Sequence, residues 1–348
     1  MSSNNITIGI DLGDRRHAVC VLSAAGEILA EEAITNTREC LTAFAQRHPA
    51  AVFVMETGTH SPWISRLLES LGHTVHVANA RKVRAIFTSP NKNDQEDARM
   101  LARLGRADPK LLSPVQHRSE SAQRALVRLK VREALVRSRV NAMNTVRFLV
   151  KSLGLQVPRG VKATAFVRKF RLLASAADTS LVEPLLQTLD ALNARIKELD
   201  LDLETLAHER YPVTGQLRQV PGVGPLTALG FVLTIEDPAR FPHTRDVGAS
   251  LGLVPRRDQS GLTDKQLPIT KRGNVQLRCL LVNCAHYILG PFGPPSALRS
   301  CGERIVARGG KSAKKRAVIA VARKLAVTLL ALWKSGAEYH PQPLLEAA

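Results

Sequence analysis

Four carboxylates stand where two-metal chemistry would need them. Asp11 closes the apolar run Ile6-Thr-Ile-Gly-Ile-Asp11-Leu12, which reads as a buried strand, and Glu56 closes a second, Ala51 to Met55. Asp94 and Asp97 are three residues apart in a segment of helical periodicity, so their Cβ atoms are about 5–6 Å apart on one face. Like charges gathered this way repel and need cations to balance them. Two Mg2+ ions about 4 Å apart can activate a nucleophile and stabilise the leaving oxygen of a phosphodiester. Hard oxygen donors suit Mg2+, or Mn2+ in its place, better than zinc. Each acid alone is more often a solvated surface group; their common position at element ends carries the metal reading. Asp14 is an alternative member, and Glu96 reads as exposed.

A second group lies in the C-terminal half. Leu251-Gly-Leu-Val-Pro-Arg-Arg-Asp-Gln-Ser260-Gly261 sets a serine in an arginine-rich loop. Arg256 and Arg257 could hold a phosphate for attack by a metal-activated hydroxyl. No His/Asp partner of a hydrolase triad accompanies Ser260, and a serine on a flexible polar loop is usually a turn former, so its chemistry alone makes a catalytic role the minority reading. Phosphate contacts are expected from Arg124, Arg128 and Arg132, from Lys271 and Arg272 of Ile269-Thr-Lys-Arg-Gly-Asn274, and from Lys311, Lys314, Lys315 and Arg316. Val220-Pro-Gly-Val-Gly224 before an apolar run reads equally as a helix-hairpin-helix, whose glycines admit a DNA phosphate, or as an ordinary helix–helix turn.

The distribution of charge says what these groups face. The chain of 348 residues carries a net +19, but residues 1–105 balance 11 basic against 11 acidic side chains. Residues 106–160 hold 12 against 3, and residues 244–348 hold 17 against 6. Basic blocks beside a neutral one indicate a nucleic-acid surface attached to a separate domain. Aromatics are 4%, too few for a stacking platform to dominate, so backbone and groove contacts are expected.

The positioning elements follow from periodicity. Strands at 6–12, 17–22 and 28–34, a helix near 38–47, a strand 51–55, a helix 62–71, a strand 74–78 and helices at 81–87 and 94–104 give an α/β ribonuclease-H-like order over residues 1–112. Residues 113–210 read as two long helices. The first, 118–153, is basic and irregularly striped; the second, about 181–209, has a strict seam of Leu185, Leu189, Leu192, Ile196, Leu199, Leu203 and Leu206. That seam fits an intramolecular hairpin or a dimer contact, and its strictness favours oligomerisation. Residues 211–341 read as a mostly α-helical domain.

Several classes are excluded. No apolar run is long enough to span a membrane, and Val318 to Trp333 is broken by Arg323 and Lys324. The first residues lack a signal-peptide pattern, and the five scattered cysteines form no CxxC pair, so reduced thiols and a cytosolic location are expected. The Gly-Ile-Asp11-Leu-Gly strand also fits the first phosphate loop of actin-like sugar kinases. No second glycine-rich loop or adenosine motif supports that reading, and it leaves the basic C-terminal region unexplained.

The residues also carry a family resemblance. Gly-Ile-Asp11, Met-Glu56-Thr-Gly-Thr, Lys92-Asn-Asp94-Gln-Glu-Asp97-Ala-Arg99, Val-Pro-Gly-Val-Gly, Gly-Leu-Val-Pro…Ser260-Gly261 and Thr-Lys-Arg-Gly-Asn-Val-Gln-Leu-Arg together resemble the DEDD transposases of bacterial insertion sequences, relatives of the pilin-gene-inverting recombinases. The resemblance runs over nearly the whole chain. It implies a RuvC-like N-terminal domain, a coiled-coil segment and a C-terminal transposase domain. It further implies Asp11, Glu56, Asp94 and Asp97 as metal ligands and Ser260 as a nucleophile that forms a phosphoserine link to cleaved DNA. A noncoding bridge RNA pairing with donor and target double-stranded DNA is implied, as is a dimer or tetramer whose active site draws on two protomers. A nucleoid-associated bacterial location goes with it. Asn93 and His60 stand where members of that family often carry Thr and Tyr. A metal-dependent nuclease without a covalent intermediate, or a non-catalytic nucleic-acid-binding protein, remains the alternative.

Overall fold

The computed structural model describes residues 6–86, 93–157, 160–261 and 263–341. Phe87 of the expected helix 81–87, Lys92 of the carboxylate motif, and Pro158 and Arg159 of the expected helix break lie outside the described residues. The chain divides into two compact units, Met1–Ser119 and Glu120–Ala348.

The first unit is a mixed five-stranded sheet covered on both faces. Its strands are β1 (Thr7–Asp11), β2 (Arg16–Leu22), β3 (Ile28–Thr35), β4 (Val52–Glu56) and β5 (Thr74–Ala78). Their order is β3-β2-β1-β4-β5, with β1 antiparallel to β2 and parallel to β4. The helices are α1 (Arg38–Gln46), α2 (Ser61–Ser70), α3 (Ala80–Ile86) and α4 (Asp94–Ala107). Side chains alternate along a strand, so each strand supplies both faces. Ile8, Ile10, Val19, Val21, Phe53 and Met55 pack with Leu41 and Phe44 of α1 and Ile64 and Leu68 of α2. On the other face, Cys20 and Leu22 meet Ala98 and Ala102 of α4, and Val54 and Ala78 meet Leu101 and Leu104. This architecture is consistent with a ribonuclease-H-like domain.

The second unit is mostly helical. Helices α5 (Glu120–Leu149), α6 (Phe166–Leu173) and α7 (Ala176–Arg210) precede α8 (Val213–Leu217), α9 (Pro225–Ile235) and α10 (Val247–Ser250). A hairpin of β6 (Pro255–Ser260) and β7 (Thr263–Ile269) leads to α11 (Val275–Leu289), α12 (Ala297–Ala307) and α13 (Ala313–Ser335). The last three helices enclose the largest core with α9.

Three expectations change here. Helix α7 starts at Ala176, five residues ahead of the expected start, because Ser175 caps it by accepting from the Asp178 amide at 3.0 Å; Pro184 is carried inside the helix. The serine loop is a strand pair. The leucine seam is partly buried within the chain: Leu189, with its neighbour Leu186, packs with Met143, Val146 and Val150 of α5 and with Phe166 and Phe170 of α6, and Leu203, with Ala207, packs with Ala122, Leu126 and Leu129, while Leu185, Leu192, Leu199 and Leu206 are half-buried. Between these apolar ends Arg132 donates to Asp200 at 2.8 Å and Arg139 to Asn193 at 3.0 Å. Those polar rungs explain why arginines interrupt the stripe of α5, and the seam no longer argues for an oligomer.

Candidate active site

The acidic site is built on the two central parallel strands. Ile10 of β1 stands in register with Met55 of β4. Carrying that register one residue further puts Asp11 beside Glu56, on backbones about 4.8 Å apart. Asp11 shares its face with Gly9, and Glu56 with Val54, and both of those residues are covered by α4. A Cβ added at Gly9 would lie 2.0 Å from the Ala98 carbonyl oxygen and 2.6 Å from the Ala102 nitrogen. One added at Gly105 would lie 2.4 Å from Val54 Cγ2. The helix therefore sits directly on the strands through small residues.

Its direction brings the aspartates to the same edge. Gln95 Nε2 donates to the Val19 carbonyl at 2.9 Å, and Val19 pairs with Ile10 at the Asp11 end of β1. Arg106 at the other end donates to the Ala24 carbonyl at 2.9 Å, beyond the far end of β2. So α4 runs antiparallel to β1, with its first turn beside Asp11 and Glu56. Asp94 continues the Ala98–Ala102 row and Asp97 the Leu101 row, both directed at the sheet side. Asn93 caps the helix by accepting from the Gln95 amide at 3.0 Å, and carboxylates in a first turn are favoured by the helix dipole. Glu96, expected to be exposed, is partly buried and accepts from Arg99 at 2.6 Å. Arg99 also donates to Glu31 at 2.9 Å, which draws Glu96 away from the edge.

The four carboxylates thus share one edge and one face. Among the described residues, no three His, Cys, Asp or Glu side chains converge closely enough to hold an ion. Their donor set, all hard oxygens, fits Mg2+ or Mn2+ rather than zinc.

The same edge holds Asp14, the alternative member of the set, and with it His60, Trp63, Asn36 and His17. Trp63 Nε1 donates to His60 Nδ1 at 3.2 Å, and an indole nitrogen only donates, so the His60 proton lies on Nε2. That nitrogen is 3.0 Å from Asp14 Oδ1, whose side chain is 95% exposed. Asn36 Nδ2 donates to the carbonyls of Gly13 and Asp14 at 3.3 and 3.0 Å, fixing the loop after Asp11. His17 beneath is fully buried, and burial lowers its pKa against a smaller opposing effect of Asn36. The sequence signal for His60 was its place just ahead of Ser61-Pro62, where a helix begins.

Ser260 occupies the tip of the β6–β7 hairpin, paired with Thr263 ahead of Gly261, which adopts φ 55°. Every residue of β6 is exposed, Arg256 included. Arg257 is engaged across the hairpin: its Nε and Nη2 donate to Asp264 at 2.8 and 2.5 Å. Arg257 holds the Asp264 carboxyl below its ordinary pKa, and its own pKa is raised in return. A phosphate there would compete with a carboxylate.

Other expected contacts divide in the same way. Arg132 is spoken for by Asp200 and only 23% exposed, and exposed Arg124 pairs with Glu120. Arg128, Lys271, Arg272, Lys311, Lys314, Lys315 and Arg316 are exposed. Gly222, at φ 87°, lies under Tyr287, 2.8 Å from where a Cβ would be, so close packing accounts for it. The Cys20 thiol is buried, which pushes its pKa up to about 11.

Known proteins resemble this chain over most of its length. Residues 8–154 match the transposase model of the DEDD IS110 type, and residues 215–301 the model for transposases of the IS116/IS110/IS902 family. The chain is 31% identical over 292 residues to the transposase for insertion sequence element IS1328 of Yersinia enterocolitica, spanning 81% of this chain and 83% of that one. This chain belongs to the IS116/IS110/IS902 transposase family. The transposase is also 27% identical to that of IS1111A from Coxiella burnetii, over 93% of this chain and 88% of the other. A pilin gene-inverting protein of Moraxella bovis is 25% identical over 91% of this chain and 92% of its own length. The carboxylates fall within the first matched segment and Ser260 within the second.

Proposed function

We propose that this transposase cuts and rejoins DNA through a phosphoserine link at Ser260, with Asp11, Glu56, Asp94 and Asp97 as the metal ligands of a RuvC-like domain. What supports the reading is the strand register that continues to Asp11 and Glu56, together with the direction of α4, whose first turn carries Asp94 and Asp97 at that end of the sheet. A bound Mg2+ would polarise the scissile phosphate and stabilise developing oxyanion charge there. In the exchange, Ser260 Oγ bonds to phosphorus while the bond from phosphorus to one strand oxygen breaks. That strand leaves as a hydroxyl and takes up a proton in place of the one the serine gives to solvent. Rejoining reverses these steps with the hydroxyl of the incoming strand, so one phosphodiester replaces another and no energy source is consumed. Inversion by the Moraxella relative, whose name says it inverts a pilin gene, is the kind of rearrangement such an exchange permits.

Guidance to donor and target DNA by a noncoding bridge RNA belongs to the proposal, as does action as a dimer or tetramer. Guidance rests on the family resemblance and on the basic stretches at 106–160 and 244–348, and the oligomer on the resemblance alone. Among the described residues no helix is long and apolar enough to cross a membrane.

The test is a Mg2+-dependent protein–DNA adduct that survives denaturant and disappears in Ser260→Ala. Nicking without an adduct, unchanged in Ser260→Ala, would replace the recombinase with a hydrolytic nuclease. Undiminished recombination in Asp11→Asn would remove the metal site from the proposal. Sequencing the co-purified RNA tests guidance: a structured RNA from the flanks of the gene supports it, and random cellular RNA ends it.

A further inference from the structure

The described residues of the arm that bears Ser260 are exposed from Pro255 to Pro268. Among them, the contacts that set the arm's direction lie at its base. That base is where the structure is tightest. The chain enters β6 from the turn at Leu251-Gly252 and leaves β7 through Thr270-Lys271-Arg272-Gly273 into α11. The two passages lie against each other: the Thr270 amide donates to the Val254 carbonyl at 2.9 Å and the Lys271 amide to that of Gly252 at 3.2 Å. A Cβ on Gly252 would be 2.3 Å from the Arg272 nitrogen, and one on Gly273 would be 2.0 Å from the Ser250 carbonyl oxygen. Lys271 is held at φ 54°, a left-handed conformation that a lysine keeps only when its surroundings impose it.

One side chain joins both passages. Arg278 in the first turns of α11 is 8% exposed, and its Nη1 donates to the Leu251 carbonyl at 3.0 Å and the Arg272 carbonyl at 2.6 Å. A guanidinium stays charged in a protein, and burying it is costly unless its donors are met. Its two main-chain acceptors lie one on each side of the base. The helix that carries it is anchored in turn: Asn274 caps it by accepting from the Leu277 amide at 3.1 Å and donates to Thr234 of α9 at 3.0 Å.

We propose that Arg278 is a positioning residue for strand cleavage, clamping the base of the β6–β7 arm so that Ser260 at its tip meets the scissile phosphate. This rests on the reading of Ser260 as the nucleophile. The lever arm makes the clamp matter. Six residues of strand reach about 20 Å. A tilt of roughly 10° at the base therefore displaces the tip by about 3 Å, whereas a misplacement of about 1 Å can already cost 100-fold in rate. The Thr-Lys-Arg-Gly-Asn stretch then serves as a joint that orients the serine, and the exposed Lys271 and Arg272 are carried on it.

The test uses the full chain purified with its accompanying nucleic acid and a labelled duplex spanning the joined ends of the insertion sequence. Arg278→Lys keeps the charge but replaces the planar fork with a single ammonium, and Arg278→Ala leaves a hole that free guanidinium ion can fill. Adduct formation in single turnover is expected to fall about 100-fold in both. Duplex affinity should stay within about threefold, the Thr270 and Lys271 amides should exchange faster, and added guanidinium should restore part of the Arg278→Ala rate. An Arg278→Lys adduct rate within about threefold of the parent overturns the clamp. So does a loss matched by equal losses of affinity and thermal stability and not restored by guanidinium, which would make Arg278 merely structural. The parent and Ser260→Ala run alongside keep the two ideas apart: a parent with no adduct refutes the serine nucleophile, whereas a parent adduct undiminished in Arg278→Lys refutes only the clamp.

Discussion

Asp11 and Glu56 stand at the ends of the two central strands of a sheet covered on both faces, whereas Ser260 stands at the tip of a hairpin whose β6 strand is exposed throughout. The carboxylates inherit their positions from a core: the helix carrying Asp94 and Asp97 rests on Gly9 with no room for a methyl group. The serine is placed from a distance, by a joint at the base of its arm. Under the proposed function, groups that share cations need fixed mutual spacing, and burial supplies it. A serine that has to reach a large, deformable substrate can then stand clear of the protein if its base is rigid.

The contrast can be broken or sharpened by substitution. The largest effect is expected from Gly9→Val, because the clashing atoms are the backbone of α4 and cannot turn aside; soluble, folded protein should be lost, as followed by circular dichroism and yield. Gly58→Ala, with nothing within 4 Å of its added Cβ, should stay within about 0.5 kcal/mol of the parent. A folded Gly9→Val with a parent-like melting temperature would show that α4 does not depend on that approach. Next is Leu189→Ala in the α5–α7 hairpin, expected to cost about 3 kcal/mol in denaturant unfolding, since the side chain is fully buried within the chain. A near-neutral result accompanied by dissociation of an oligomer would return the leucine seam to an intermolecular role.

Acid should separate the two units by a smaller amount. His17, His48 and His117 all lie in the first unit, and burial lowers the pKa of each, with Arg47 adding to the effect at His48 and Arg66 and Arg118 at His117. Below the ordinary value of 6.5 the unfolded chain binds protons that the folded unit does not. Their stabilisation is therefore complete above that pH and is lost as pH falls through it. The two tryptophans, Trp63 and Trp333, report one unit each. In single-tryptophan variants the Trp63 transition should move to lower denaturant between pH 7.5 and 5.5 by more than the Trp333 transition; equal shifts would remove the histidines as the cause. The smallest stability effect belongs to Ser260→Ala, whose unfolding free energy should match the parent within about 0.5 kcal/mol even as the adduct vanishes. A large drop would mean that the tip is packed against something after all.

Strands β1, β2, β3, β4 and β5 and helix α4 were legible because β-branched runs and a 3.6-residue period survive in one sequence. The meaning of Gly9 was not: a lone glycine in a strand announces a close approach but not to what. The β6–β7 hairpin was read as a loop because Pro-Arg-Arg-Asp-Gln-Ser lacks apolar alternation; its register is held by backbone pairing and by Arg257 with Asp264. Helix α6 went unseen because eight residues are too few for a period to stand out, and the first turn of α7 because the expected helix was begun at its leucine stripe rather than at the Ser175 cap.

The sequence by itself determined the carboxylates and their elements, the segregated charge and the seven-residue seam, because each is a local property of residue type and spacing. The tertiary structure alone decided that α4 runs antiparallel to β1 and brings Asp94 and Asp97 to the edge of Asp11 and Glu56. It also decided that the seam is closed by α5, that Arg132 and Arg257 face Asp200 and Asp264, and that Arg278 ties the serine arm at its base. Each of those outcomes joins residues far apart in the chain, and periodicity names a face without naming what will cover it.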